Sequence, residues 1–236
     1  MNPEFAQATQ AIQQAFVAKG KDTAVAEGQV TPAQLIDAYD QFQILFNKLD
    51  QDFGPSGAIP NDGASELADH AIHCLLDLGA WAGQLDLHDP QQALEMEALQ
   101  TALWAMRHGG KIRTLEPVVN ALALLANRSG ERDQIKALYS MMAEIIEHVS
   151  PEIQNDLEKT NPGRPWRILN MNFAIVGTRT QEPGLMAQSY ETLGRNLPED
   201  CPEFFEEAIK QAEKPVYGDA VKSVVREYFS RWTVRH

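Results

Sequence analysis

Apolar side chains recur along almost the whole chain at a spacing near 3.6 residues, the period of a helix that buries one face. Phe5, Ile12, Phe16 and Val17 mark a first helix that stops near Gly20, and residues 20–30 read as a small, polar loop. Thr31-Pro32 is then a start signal: a hydroxyl that can cap, followed by proline where a helix needs no N–H. The second helix carries Leu35, Ile36, Tyr39, Phe42, Leu45, Phe46 and Leu49. From Asp50 to Gly63 the pattern breaks, with three glycines, two prolines and three aspartates in fourteen residues. The spacing therefore predicts a helical pair over 1–49 and a linker over 50–63.

Beyond the linker the period predicts strong helices near 65–84, 90–108, 113–127, 132–149 and 165–178, with shorter ones near 151–159, 183–196 and 202–213. A last amphipathic helix, 218–234, puts Val221, Val224, Val225, Tyr228, Phe229 and Trp232 on one stripe. No segment shows the alternating β-branched pattern of a strand. The expected class is all-α, with about ten helices.

A faint internal echo organises these helices. Sliding residues 122–159 onto 173–210 aligns Ala123, Arg128, Glu131, Tyr139, Pro151, Glu152 and Lys159 with Ala174, Arg179, Glu182, Tyr190, Pro202, Glu203 and Lys210. That is seven identities in 38 positions at an offset of 51, joined by apolar pairs such as Leu124 with Ile175 and Met142 with Leu193. The unit reads as a helix, a short polar turn, a second helix and a Pro-led link. A weaker turn of the same kind lies at His88-Asp89-Pro90. One such hairpin cannot bury its apolar face alone, so neighbours must stack. The pattern is similar in architecture to tetratricopeptide-like helical arrays over residues 65–215. It departs from that family in its longer unit and in lacking the family's Trp, Gly and Pro signature positions. The resemblance implies an α-solenoid-like array of antiparallel hairpins over 64–217, closed by a capping helix at 218–236.

Charge narrows the partners. The net charge is −13, and residues 1–110 hold 15 acids against only Lys19, Lys21, Lys48 and Arg107. Residues 111–236 hold 18 acids against 16 bases. The acidic front half repels phosphate backbones and anionic lipid, which argues against nucleic-acid or membrane binding. It serves solubility, or offers a docking face to a basic partner. Cys74 and Cys201 have no metal spacing, Met1 to Phe5 lacks the basic and apolar segments of a signal peptide, and no apolar run approaches a membrane span. A cytoplasmic chain with reduced thiols is expected.

The chemically most unusual segment runs Thr160-Asn161-Pro162-Gly163-Arg164-Pro165-Trp166-Arg167-Ile168-Leu169-Asn170. Asn-Pro-Gly is a turn, and Pro165 suits the first turn of a helix. Arg164, Trp166, Arg167 and Asn170 then surround a helix N-terminus, where free N–H groups favour anions and an indole can stack on something flat. The competing reading is a structural corner, with Trp166 packed and the arginines pairing acids such as Glu152 or Asp156.

Other candidates read as structural. Arg128 and Arg179 each precede a glutamate by three residues and suit helix ends. Tyr139 and Tyr190 suit a core with a hydroxyl handle. Glu66–His70, Asp69–His73 and Glu144–His148 are i,i+4 pairs that could approach a metal, yet no di-iron or His-Glu-x-x-His pattern is present. Asp50-Gln-Asp52-Phe-Gly54 lacks the calcium-loop glutamate, and Gly109-Gly110-Lys111 lacks the Ser or Thr of a phosphate loop. In the last helix Lys222, Arg226, Arg231 and Arg235 lie opposite the aromatic stripe. That helix suits a cap on the stack, a membrane- or target-binding surface, or a homo-oligomer contact.

The expected function is a non-catalytic helical scaffold that binds another protein, as an adaptor, assembly factor or chaperone-like module, with no cofactor and no metal. The alternative is an all-α small-ligand binder or enzyme. Its inter-helix pocket would lie near 64–108 and 165–178, with anion binding at Arg164, Trp166 and Arg167.

Overall fold

The structure, a computed structural model, describes residues 2–19, 29–155, 161, 163–215 and 217–233. Among the described residues there are eleven α-helices and no strand, so the chain is all-α. The helices are α1 (Pro3–Lys19), α2 (Pro32–Phe53), α3 (Gly63–Gln84), α4 (Pro90–Arg107), α5 (Glu116–Arg128), α6 (Arg132–His148), α7 (Pro151–Gln154), α8 (Pro165–Thr180), α9 (Pro183–Asn196), α10 (Cys201–Ala212) and α11 (Asp219–Thr233). A 3₁₀ turn, Pro198–Asp200, links α9 to α10. The helix expected over 151–159 is described only as α7, and most of the loop expected at 20–30 lies outside the described residues.

Two compact units divide the chain: Met1–Ala121 with His148–Ser150, and Leu122–Glu147 with Pro151–His236. The division falls inside α5.

In the first unit α1 packs on α4, α2 on α3, and α3 on α4. Phe5, Ile12, Leu35, Tyr39, Phe46, Ile72, Leu75, Leu78, Trp81, Leu94, Leu99 and Trp104 are buried in its core. Thr31 starts α2 as the second-helix signal predicts: its side chain caps Gln34, Gln34 caps it in return, and Pro32 follows. Trp81 donates from Nε1 to the Val30 carbonyl at 2.9 Å, fastening the approach to α2 onto α3.

The linker expected from residue 50 begins only after Phe53, because Asp50 is held in place. Its Oδ1 accepts a 2.8 Å hydrogen bond from Trp104 Nε1 and lies 2.7 Å from His108 Nε2. His108 Nδ1 lies 2.7 Å from the Gly57 carbonyl, so one buried imidazole ties the end of α4 to both α2 and its following loop. Gly109, at φ 79°, stops α4. Its N–H bonds Met106 O at 3.0 Å and that of Gly110 bonds Ala105 O at 2.8 Å, the paired bonds of a Schellman stop. The two glycines set aside as a phosphate loop are thus a helix terminator. After them Ile112 forms an isolated bridge with Val149, through Ile112 N–His148 O at 2.8 Å and Ser150 N–Ile112 O at 2.9 Å. The bridge draws residue 112 into extended backbone, and α5 starts only at Glu116.

In the second unit α8 pairs with α9, α10 with α11, and α11 also packs on α9. Tyr190, Phe204, Phe205 and Tyr228 form an aromatic centre with ring centroids 5.1–6.1 Å apart. Tyr139 joins α6 to α8 and α9, with its ring 4.7 Å from Phe173 and its hydroxyl donating to Leu185 O at 3.0 Å. Both aligned segments, 122–159 and 173–210, run from a helix end through a short turn into a second helix. They diverge at the link, which is α7, four residues long, in one and α10, twelve residues long, in the other.

Candidate functional site

The Arg164–Asn170 corner folds as its residues dictate. Gly163 N–H bonds Asn161 Oδ1 at 2.9 Å, Arg164 N–H bonds Asn161 O at 3.2 Å, and Pro165 opens α8. Trp166 is 3 % exposed, which leaves no indole face open to a flat ligand. Asn170 is also buried: its Nδ2 donates to Trp166 O at 2.9 Å and its Oδ1 accepts from Asn196 Nδ2 at 2.7 Å. Arg167 pairs through Nε with Asp200 Oδ1 at 2.6 Å. Three of the four residues therefore point into packing, or lock the start of α8 onto the α9–α10 link. Arg164, 6 % exposed, lines a cavity of 350 Å³ with Asn155, Asn196, Glu199 and Asp200. Asp156, weighed in the sequence as an arginine partner, lies outside the described residues.

The repeat-equivalent arginine has a local task. Arg179 donates to Ala126 O at 2.7 Å and Ser129 O at 2.5 Å, satisfying carbonyls at the end of α5. Glu182 pairs with Lys136. The equivalent tyrosines differ. Tyr139 bonds a backbone carbonyl, whereas the Tyr190 hydroxyl lies 2.6 Å from Thr178 Oγ1, and burial pushes each phenol up to about 12.

Among the described residues the histidines do not converge. His70 and His73 turn Nδ1 to the backbone carbonyls of Glu66 and Asp69, at 2.6 and 2.8 Å. Among the described residues no group of three or more His, Cys, Asp or Glu side chains could hold a metal. None of the described helices is long and apolar enough to cross a membrane. Burial raises the thiols of Cys74 and Cys201, the latter to about 12, which disfavours the nucleophilic thiolate.

Among the described residues, a groove between α8 and α10 holds one exposed apolar side chain, Ile175; others, Ile44, Leu45 and Phe53, lie on α2. The groove encloses 480 Å³ and is lined from α8 by Arg167, Met171, Ile175, Thr178 and Arg179. From α10 and the turn after it come Glu203, Phe204, Glu207, Ala208, Gln211, Ala212 and Tyr217. Ile175 is 47 % exposed, although its alignment with Leu124 reads as a packing position. Apolar side chains floor the groove and charged ones edge it. Sequence periodicity identifies the stripe but not which of its members the neighbouring helix leaves uncovered.

A polar cluster in the first unit is also unannounced by any motif. Glu97, buried on α4, accepts hydrogen bonds from Tyr39 OH at 3.1 Å and Gln43 Nε2 at 3.3 Å. Burial raises its carboxyl above the usual range, and burial together with Glu97 raises the Tyr39 phenol. The available signal is positional: Glu97 shares a helical stripe with Ala93, Leu94 and Thr101, all buried.

Compared with known protein families, curated proteins and solved structures, the chain matches none.

Proposed function

We propose that this chain is a cytoplasmic, non-catalytic helical scaffold that binds another protein, and that the α8–α10 groove receives a segment of that partner. The observation that carries the reading is Ile175, 47 % exposed on the groove floor beside half-buried Met171 and the buried ring of Phe204. Apolar surface of this kind gains roughly 25 cal/mol per Å² when covered. Successive helix pairs, α8 with α9 and α10 with α11, support the hairpin-array architecture that belongs to the same proposal.

The test compares proteins retained from native extract by the intact chain and by Ile175→Asp, with helicity and melting temperature checked in parallel. Ile175→Asp is expected to fold and to lose a specific retained protein. Identical retained sets from two equally folded chains would remove the groove from the proposal.

A second reading, a small-anion binder, draws on the Arg164 cavity with Asn155 and Asn196, against Glu199 and Asp200 on the same lining. It expects phosphate to raise the melting temperature of the intact chain but not of Arg164→Met. Self-association through α11 has less surface to draw on, because Val221, Val225 and Tyr228 of its stripe are buried within the unit.

A further inference from the structure

We infer that the α8–α10 groove accepts a basic amphipathic helix, seated apolar-side down on Met171, Ile175 and Phe204 with its lysines or arginines against Glu203 and Glu207. This rests on the groove being a protein-docking site, and goes further in naming the conformation and charge of what docks.

Conformation follows from the walls. Both are α-helices, whose backbone N–H and C=O groups are satisfied internally. A docked extended strand would find no edge to pair with and would bring its own backbone groups unsatisfied against an apolar floor. A helix arrives with its backbone already bonded. The lining positions on α8, Arg167, Met171, Ile175 and Arg179, recur every four residues and mark one face over about 18 Å, or three helical turns. That length suits another short helix laid along them.

Charge follows from which lining residues are already engaged. Arg167 is held by Asp200, and Arg179 by two carbonyls at the end of α5, where the helix dipole is negative. The wall formed by α10 carries three glutamates, Glu203, Glu206 and Glu207, against a single lysine, Lys210. Glu203 and Glu207 both line the groove, and both are exposed. Glu207 accepts a hydrogen bond from Gln211 and pairs with Lys210 at 3.6 Å, which hold it below the usual carboxylate range; that pair is solvent-exposed and weak, so a docking cation can compete for it. Long basic side chains also lay methylene stems over apolar floor while their heads reach a charged rim.

The experiment uses the full chain and two labelled three-turn peptides, one of leucine and lysine and one of leucine and glutamate, followed by fluorescence anisotropy at physiological salt. The lysine peptide is expected to bind at least about tenfold more tightly. Glu203→Lys with Glu207→Lys is expected to reverse that preference, and Ile175→Asp to abolish binding of both. If both peptides bind equally and Ile175→Asp abolishes both, the docking groove stands and its charge preference is overturned. A lysine preference untouched by the double reversal belongs to acidic surface elsewhere and also overturns the inference. If neither peptide binds, or binding ignores Ile175→Asp, the groove reading falls with it.

Discussion

Gly177 of α8 and Ser189 of α9 meet so closely that a Cβ added at 177 would collide with the serine hydroxyl and lie 2.8 Å from its Cβ. The absence of a side chain at 177 is what lets the two helices approach. Gly177→Ala should therefore destabilise the chain despite its better helix propensity, by about 1–3 kcal/mol from overpacking. Adding Ser189→Gly should recover part of the loss, and the coupling is readable in a urea-denaturation double-mutant cycle. Additive single effects would show that the crossing is not the constraint.

Glu97 gives a pH signature with a definite sign. Its folded-state pKa lies above the unfolded value, so the folded chain binds more protons between the two, and this residue's contribution to stability falls as pH rises through that window. Glu97→Gln keeps an oxygen acceptor for Tyr39 and Gln43 and removes the buried charge. The variant should be more stable than the parent at pH 7 and should lose less stability between pH 4.5 and 7. Thermal melts across that range decide it; a parallel pair of curves would mean that Glu97 does not titrate differently on folding.

Asp50 holds two aromatic partners at once. Asp50→Ala leaves Trp104 Nε1 and His108 Nε2 without their acceptor and should cost about 1–3 kcal/mol. Asp50→Asn, which retains Oδ1, should cost less. Equal losses in denaturant titrations would assign the effect to charge rather than to the shared oxygen.

Arg179 acts at the end of a different helix from its own. Arg179→Met keeps most of the stem and removes the bonds to Ala126 O and Ser129 O. Amide exchange in the last turn of α5, including Ser129 N–H on Leu125 O, should accelerate while the centre of α8 keeps its protection. Uniform acceleration would indicate global loosening instead.

Most of the helices are legible because one face is apolar, although α4 buries residues on several faces; Thr31-Pro32 and Pro165 mark starts that the backbone obeys. What escapes local pattern is pairing at long separation. Nothing near residue 50 indicates that His108, 58 positions away, will stop α2 from ending there. The corner at Arg164–Asn170 is conspicuous in composition, yet its Asn170 and Trp166 are buried, and Arg167 pairs with Asp200 on a link that only the tertiary fold brings near. Ile175 is the converse case. It is unremarkable as a stripe residue and exposed only because α10 stands off from it.

The Ile112–Val149 bridge bears on the order in which the chain can be assembled during synthesis. Residues 148–150 complete the first unit, yet they leave the ribosome only after 122–147, which belong to the second. The first unit therefore lacks the contacts of those three residues until 122–147 have been made, unlike the simple domain-by-domain order. An expression fragment ending at 121 would also lack the backbone partners of Ile112 at His148 and Ser150. Dissection of the protein should keep that returning segment.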